Sequence, residues 1–162
     1  IAELGILSVP PIHQNNFDVL FRRKEKIVCV TAENSNFLKG IAAPTLEDLS
    51  DCPLCLSTGC HLMMSKIFAE KSIRPQILSI CTTRTTALRW AEDDCGVSIV
   101  PMEPREKLAD GLIAKAITGV NTDLYKTVVR VKGRPLSVVS KKFLQFYSDV
   151  RDSERMIKVK DL

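Results

Sequence analysis

The chain has 162 residues, 45% hydrophobic and 26% charged, which suits one domain or two small lobes around a buried core. Its formal net charge is +4, with Lys and Arg scattered rather than massed, so a dense basic track for phosphates is excluded. No apolar run approaches the roughly 18 residues of a membrane span, and no signal peptide is visible.

Ile1–Leu7 is already strand-like, so the sequence reads as a piece of a longer protein entered at a core strand. Aliphatic and β-branched runs predict strands over 3–9, 18–22 and 26–32, followed by an irregular loop over 33–44. Thr45 starts a short helix over 45–50, with Glu47 and Asp48 favourable in its first turn. A strand over 53–57 precedes a helix over 61–71, in which Met63, Met64, Ile67 and Phe68 share a face. Next come a strand over 75–81, a helix over 84–94 facing inward through Ala87, Leu88 and Ala91, and a strand over 96–100. A short helix is expected near Pro104, then strands over 112–117 and 124–132. Ser137 caps a last helix over 137–151, where Val139, Phe143, Phe146, Tyr147 and Val150 recur at helical steps.

Strand and helix alternate from 53 to 101, which predicts a parallel sheet with helices on its faces. Ligands of such sheets bind at the carboxyl ends of the strands. Ser57-Thr58-Gly59 and Thr82-Thr83 fall there, each just before a helix. Two helix starts on one rim would offer free N–H groups, hydroxyls and a positive dipole end to an anion, and Gly59 would let it approach closely. The plainer alternative is that these hydroxyls only cap helices, and the two roles are compatible.

Other clusters carry less. Six cysteines stand at 29, 52, 55, 60, 81 and 95, most beside apolar runs. Cys52 and Cys55 have redox spacing, but they precede and enter a strand, where the two thiols would not turn toward one ion, and Cys60-His61 lacks ligand spacing. Buried structural thiols are expected, and no metal or other cofactor. His13 sits in the loop Pro10–Asn16 and His61 opens a helix, neither beside a nucleophile. Glu92-Asp93-Asp94 reads as a solvated helix end and Trp90 as core. Catalysis is not expected.

Taken in order, several segments carry a resemblance: Ala2–Ile6, Lys24–Val30, Thr45–Leu49, Trp90–Pro101, and Arg134–Ser137 with Phe143. The chain resembles the C-terminal part of the effector-binding domain of a LysR-type transcriptional regulator. The resemblance implies an α/β, two-lobed fold of the periplasmic-binding-protein-like (type 2) kind. Lobe II would run over 22–100 and lobe I over 1–21 and 101–162, with lobe I incomplete. It implies that a polar or anionic small molecule binds between the lobes, at Ser8, Ser57, Thr58, Gly59, Thr82 and Thr83. It further implies a cytoplasmic homodimer or homotetramer, off the membrane, that reaches DNA through an N-terminal winged helix-turn-helix absent from this sequence. The family's first βα units of lobe I are absent as well. Its usual apolar-Gly-apolar-Gly run is Asp93-Asp94-Cys95-Gly96 here. Two alternatives are a solute-binding protein of similar fold and a thiol oxidoreductase using Cys52 and Cys55.

Overall fold

A computed structural model of the chain describes residues 2–8, 14–104 and 106–160, so His13 lies outside the described residues. The strands are β1 (Leu4–Leu7), β2 (Phe17–Ala32), β3 (Pro53–Ser57), β4 (Gln76–Cys81), β5 (Val97–Met102), β6 (Leu112–Ala116) and β7 (Asp123–Val131). The helices are α1 (Leu46–Ser50), α2 (Thr58–Glu70), α3 (Arg84–Glu92) and α4 (Val138–Lys160). The strands join in the order β1-β7-β2-β5-β3-β4, with β6 also pairing with β2. The chain divides into two compact units, the residues through Arg22 with those from Thr127 on, and Arg23–Lys126. Residues 101–126 go with the larger unit because Pro101 and Met102 continue β5 in register with Ile27 and Lys26, and β6 pairs with Val28–Ala32.

In the smaller unit, β1 pairs antiparallel with β7, Leu4 opposite Arg130 and Leu7 opposite Thr127. Arg130 reaches Asp18 at 3.0 Å. Ser137 caps α4 as expected, its hydroxyl accepting from the Ser140 N–H at 3.2 Å. The Glu3 carboxylate completes that end, accepting from the Ser137 N–H at 3.0 Å and from the Ser137 and Ser140 hydroxyls. Hydrogen bonds from Ser140 and Ser137 hold Glu3 below the usual carboxylate range. Tyr147 packs on Phe21 with ring centroids 5.3 Å apart. The inward face expected for this helix is only partly so: Val139 and Phe146 are exposed, because no described residue covers them.

In the larger unit, β3 is parallel to both β4 and β5, as the strand-helix alternation requires. The crossover from β3 through α2 leads to β4, and the one through α3 leads back past β3 to β5. Right-handed crossovers in opposite directions put α2 and α3 on opposite faces of the sheet. β3 is therefore covered on both sides, and Leu54, Cys55, Leu56 and Ser57 are all buried. Each fully buried aliphatic side chain there contributes about 1.5–3 kcal/mol. On one face, Ala87 and Ala91 of α3 meet Val30, Cys81 and Val100, with Leu88 and Trp90 alongside. The buried Ser98 hydroxyl donates to the Ala87 carbonyl and fixes α3 against β5. Thr45 starts α1 in a reciprocal cap, its Oγ1 accepting from the Asp48 N–H while Asp48 Oδ2 accepts from the Thr45 N–H at 2.8 Å.

Three local expectations change. The strands over 18–22 and 26–32 are one, since the charged residues between them stay extended with alternate side chains paired or exposed. α2 begins at Thr58 rather than 61, directly after β3, and buries the i, i+4, i+8 stripe Cys60, Met64, Phe68. Among the described residues no helix forms near Pro104, where the Glu106 carboxylate accepts the Glu103 N–H at 3.0 Å.

Candidate functional site at the carboxyl ends of the parallel strands

Ser57 ends β3 opposite Cys81, which ends β4. That pairing sets the starts of α2 and α3 side by side. Ser57 is the residue before α2, extended at φ −70° and ψ 145°, yet its hydroxyl makes no capping bond. It is 5% exposed and makes no well-formed hydrogen bond, though the Cys60 thiol lies beside it. Thr58 is already tied down, its Oγ1 donating to the Cys81 carbonyl at 2.9 Å and joining the two strand ends. Gly59 faces open space where a side chain would stand. Thr82 is exposed and makes no side-chain hydrogen bond among the described residues. Thr83 caps α3, accepting from the Thr86 N–H at 3.1 Å. So the cap alternative holds for Thr83, a structural tie claims the Thr58 donor, and Ser57 and Thr82 have hydroxyls to spare. Ser8 follows β1, half-buried, in the smaller unit.

The same edge carries an ion-pair chain that the sequence reading did not single out. β2 runs antiparallel to β5, so its first residues in the larger unit lie at the edge where β3, β4 and β5 end. There Lys126 Nζ is 2.9 Å from Glu25 Oε1 and 3.3 Å from Glu103 Oε1. Arg23 reaches Glu103 Oε2 at 2.7 Å, and Arg84 Nη1 reaches Glu106 Oε1 at 2.5 Å. Three cations thus face three carboxylates. Burial alone would raise the Glu106 carboxyl, but the Glu103 N–H and Arg84 outweigh it and hold it below the usual range. Burial likewise opposes charge on Lys126, and Glu25 and Glu103 outweigh it and raise its pKa. A sequence signal existed: Arg84 puts a cation in the first turn of a helix, where the dipole disfavours it unless a tertiary carboxylate answers.

The thiols behave as buried packing groups. Burial pushes Cys29 up to about 12 and Cys55 and Cys60 up to about 11, and raises Cys52. This is the reverse of what a redox nucleophile needs. Maleimide at pH 7 is expected to label Cys95, the one exposed cysteine among the described residues, in the folded chain, and all six after denaturation. Mass spectrometry counts the adducts, and fast labelling of Cys52 or Cys55 would contradict the assignment. Among the described residues no group of three His, Cys, Asp or Glu could hold a metal ion, and no helix is long and apolar enough to cross a membrane.

The sequence model of the LysR substrate binding domain matches residues 2–152. The chain belongs to this family. No sequence among curated proteins matches it significantly. Among solved structures, the effector binding domain of QuiR in complex with shikimate superposes with a TM-score of 0.72 at 24% identity, over 89% of this chain and 69% of that one. The CcmR regulatory domain of Synechocystis PCC6803, in complex with 2-PG, gives 0.74 at 16% identity, over 91% and 73%. Full-length CbnR, a LysR-family regulator complexed with its target DNA, gives 0.68 at 18% identity, with 82% of this chain covering 47% of that one. The LysR fold explains why the hydroxyl rim and the ion-pair chain share an edge: the parallel strands of the larger unit end where β2 enters it.

Proposed function

We propose that this LysR substrate-binding domain senses a small polar or anionic effector in a cytoplasmic homodimeric or homotetrameric regulator, and passes binding on to a DNA-binding domain elsewhere in the protein. The effector meets the starts of α2 and α3 at Ser57, Thr58, Gly59, Thr82 and Thr83, and Ser8 is the candidate in the smaller unit. The observation that carries this reading is the pairing of Ser57 with Cys81, which puts two helix N-termini and an unpartnered Thr82 hydroxyl on one edge. That QuiR and CcmR domains of this fold were solved with small molecules supports the choice of ligand class. Binding acts by favouring one arrangement of the regulator over another.

The test is a thermal-shift screen of metabolites on the full-length regulator, followed by calorimetry on two variants. Thr82→Ala is expected to weaken the effector about fivefold with the melting temperature unchanged, since about 1 kcal/mol of a ligand hydrogen bond is lost. Thr58→Ala is expected to weaken it too and to lower stability by about 1 kcal/mol, because its bond to the Cys81 carbonyl goes. Unchanged affinity in both variants would remove the site from this edge.

A further inference from the structure

Among the described residues, three buried side-chain polar atoms lack a hydrogen-bond partner: Glu25 Oε2, Ser57 Oγ and Arg84 Nε. Buried polar atoms are nearly always paired, so three orphans in one neighbourhood call for a shared explanation. Topology brings them together: Ser57 ends β3, Arg84 lies three residues past the end of the neighbouring β4, and Glu25 lies where β2 enters the same edge. Glu25 is 2% exposed and Ser57 5% exposed. The Ser57 hydroxyl lies beside the Cys60 thiol, whose pKa burial raises first and which also feels the charges of Glu25 and Arg84.

The chemistry of the orphans is specific. Arg84 Nε can only donate, the Glu25 carboxylate oxygen can only accept, and the Ser57 hydroxyl can do either. Formal charge is already answered, because Arg84 pairs with Glu106 and Glu25 with Lys126. A second anion against Glu25 would be repelled, and a second cation against Arg84 likewise. What remains is a demand for a neutral group that donates and accepts at once, which is a hydroxyl.

Resting on the effector-sensing reading, we propose that Glu25, Ser57 and Arg84 form a subsite that reads a hydroxyl of the effector, so that the effector is a hydroxylated small molecule. One hydroxyl, or a vicinal pair, accepts from Arg84 Nε and donates to Glu25 Oε2, with Ser57 completing the set. An analogue without the hydroxyl leaves buried polar groups unpaired, and this kind of site discriminates far more strongly than an apolar pocket does.

The experiment uses the full-length regulator and matched probes: glycerate beside propionate, quinate beside cyclohexanecarboxylate, and glycerol and inositol as polyols without a carboxylate. Calorimetry is expected to show at least one hydroxylated probe binding tenfold or more tightly than its deoxygenated partner. Arg84→Lys, which keeps a cation for Glu106 but has no Nε, is expected to reduce that ratio tenfold. Ser57→Ala is expected to do the same while leaving the ligand-free melting temperature nearly unchanged, since the hydroxyl has only the weak Cys60 thiol beside it; a merely structural Ser57 would instead lower it. Equal binding of the paired acids overturns the subsite, as do a ratio untouched by either variant, an ordered water as its only occupant in a crystal of the complex, and a panel in which nothing binds. If Thr82→Ala weakens every bound acid while the ratio stays near one, the sensing edge stands and only the hydroxyl subsite falls. Binding that ignores Thr82, Ser57 and Arg84 alike removes both.

Discussion

Lys126→Met is expected to destabilise the larger unit by about 2–3 kcal/mol, below the roughly 3–5 typical of a fully buried pair because the lysine side chain is 34% exposed. The cost lies with the partner left behind. Glu25 is 2% exposed, and Lys126 Nζ, 2.9 Å away, is the cation paired with it. Methionine keeps the stem and the packing, so the loss reports the uncompensated carboxylate. Adding Glu25→Gln to Lys126→Met should recover part of it, whereas two independent losses would add. The pH dependence has a definite sign. The Lys126 pKa is raised above its ordinary 10.5, so its contribution is complete below that value and is lost as pH climbs through the higher folded one. The Glu106 pKa is lowered below 4.5, so its contribution is present above that value and is lost as pH falls through the lower folded one. Urea melts of wild type, Lys126→Met and the double variant at pH 7.5 read these losses directly, and a double variant less stable than Lys126→Met would contradict the pairing.

The strand-helix alternation from 53 to 101 was legible because each element there has a strong local signature. A short β-branched strand, a Ser or Thr before a helix and an apolar stripe at helical spacing all agree with the tertiary structure. The Thr45 cap was legible for the same reason, its reciprocal partner Asp48 being three residues on. What misled was charge. Arg23 to Glu25 looks like a break between two strands, but its residues alternate sides in one extended strand and find partners on β7 and after β5: Arg23 with Glu103, Lys24 with Asp123, Glu25 with Lys126. Those partners lie about 80 to 100 residues away along the chain, and no local pattern announces them.

The candidate site divides in the same way. Hydroxyls after parallel strands can be placed from sequence, because the fold class alone says which end of the sheet they occupy. Which hydroxyls are engaged cannot. Thr58 and Thr83 are equivalent in the sequence to Ser57 and Thr82, and only the register of β3 against β4 gives Thr58 a carbonyl to bind while leaving Ser57 without one. Glu25 comes to that edge through the antiparallel pairing of β2 with β5, which depends on residues on both sides of the crossovers, while Arg84 arrives at the start of α3, just past β4.

Gly96→Ala is expected to cost about 3 kcal/mol, at the upper end of what forced overpacking does. A Cβ on residue 96 would stand 2.6 Å from the Pro53 carbonyl oxygen and 3.5 Å from Pro53 Cγ. Neither side can yield, since β3 and β5 are paired from the very next residues, Leu54 with Val97, and both are buried. The glycine is required for close approach and not for its backbone angles. The left-handed position of this turn falls on Asp94, at φ 51°, after which the Cys95 N–H closes back onto the Trp90 carbonyl at 2.9 Å. So the run Asp93-Asp94-Cys95-Gly96, unusual beside the two-glycine run of LysR domains, makes its tight turn with one strained aspartate and one obligatory glycine. Asp94→Gly should then stabilise by about 0.5–1 kcal/mol, since a non-glycine left-handed residue costs roughly 1–2 kcal/mol and glycine returns part of that in chain entropy. Gly59→Ala, where the added methyl meets nothing, should be neutral or slightly stabilising. Thermal melts of the three variants should rank Asp94→Gly above wild type and Gly96→Ala far below it, with Gly59→Ala near wild type. If Gly96→Ala melts with the wild type, the starts of β3 and β5 do not approach as closely as this turn demands.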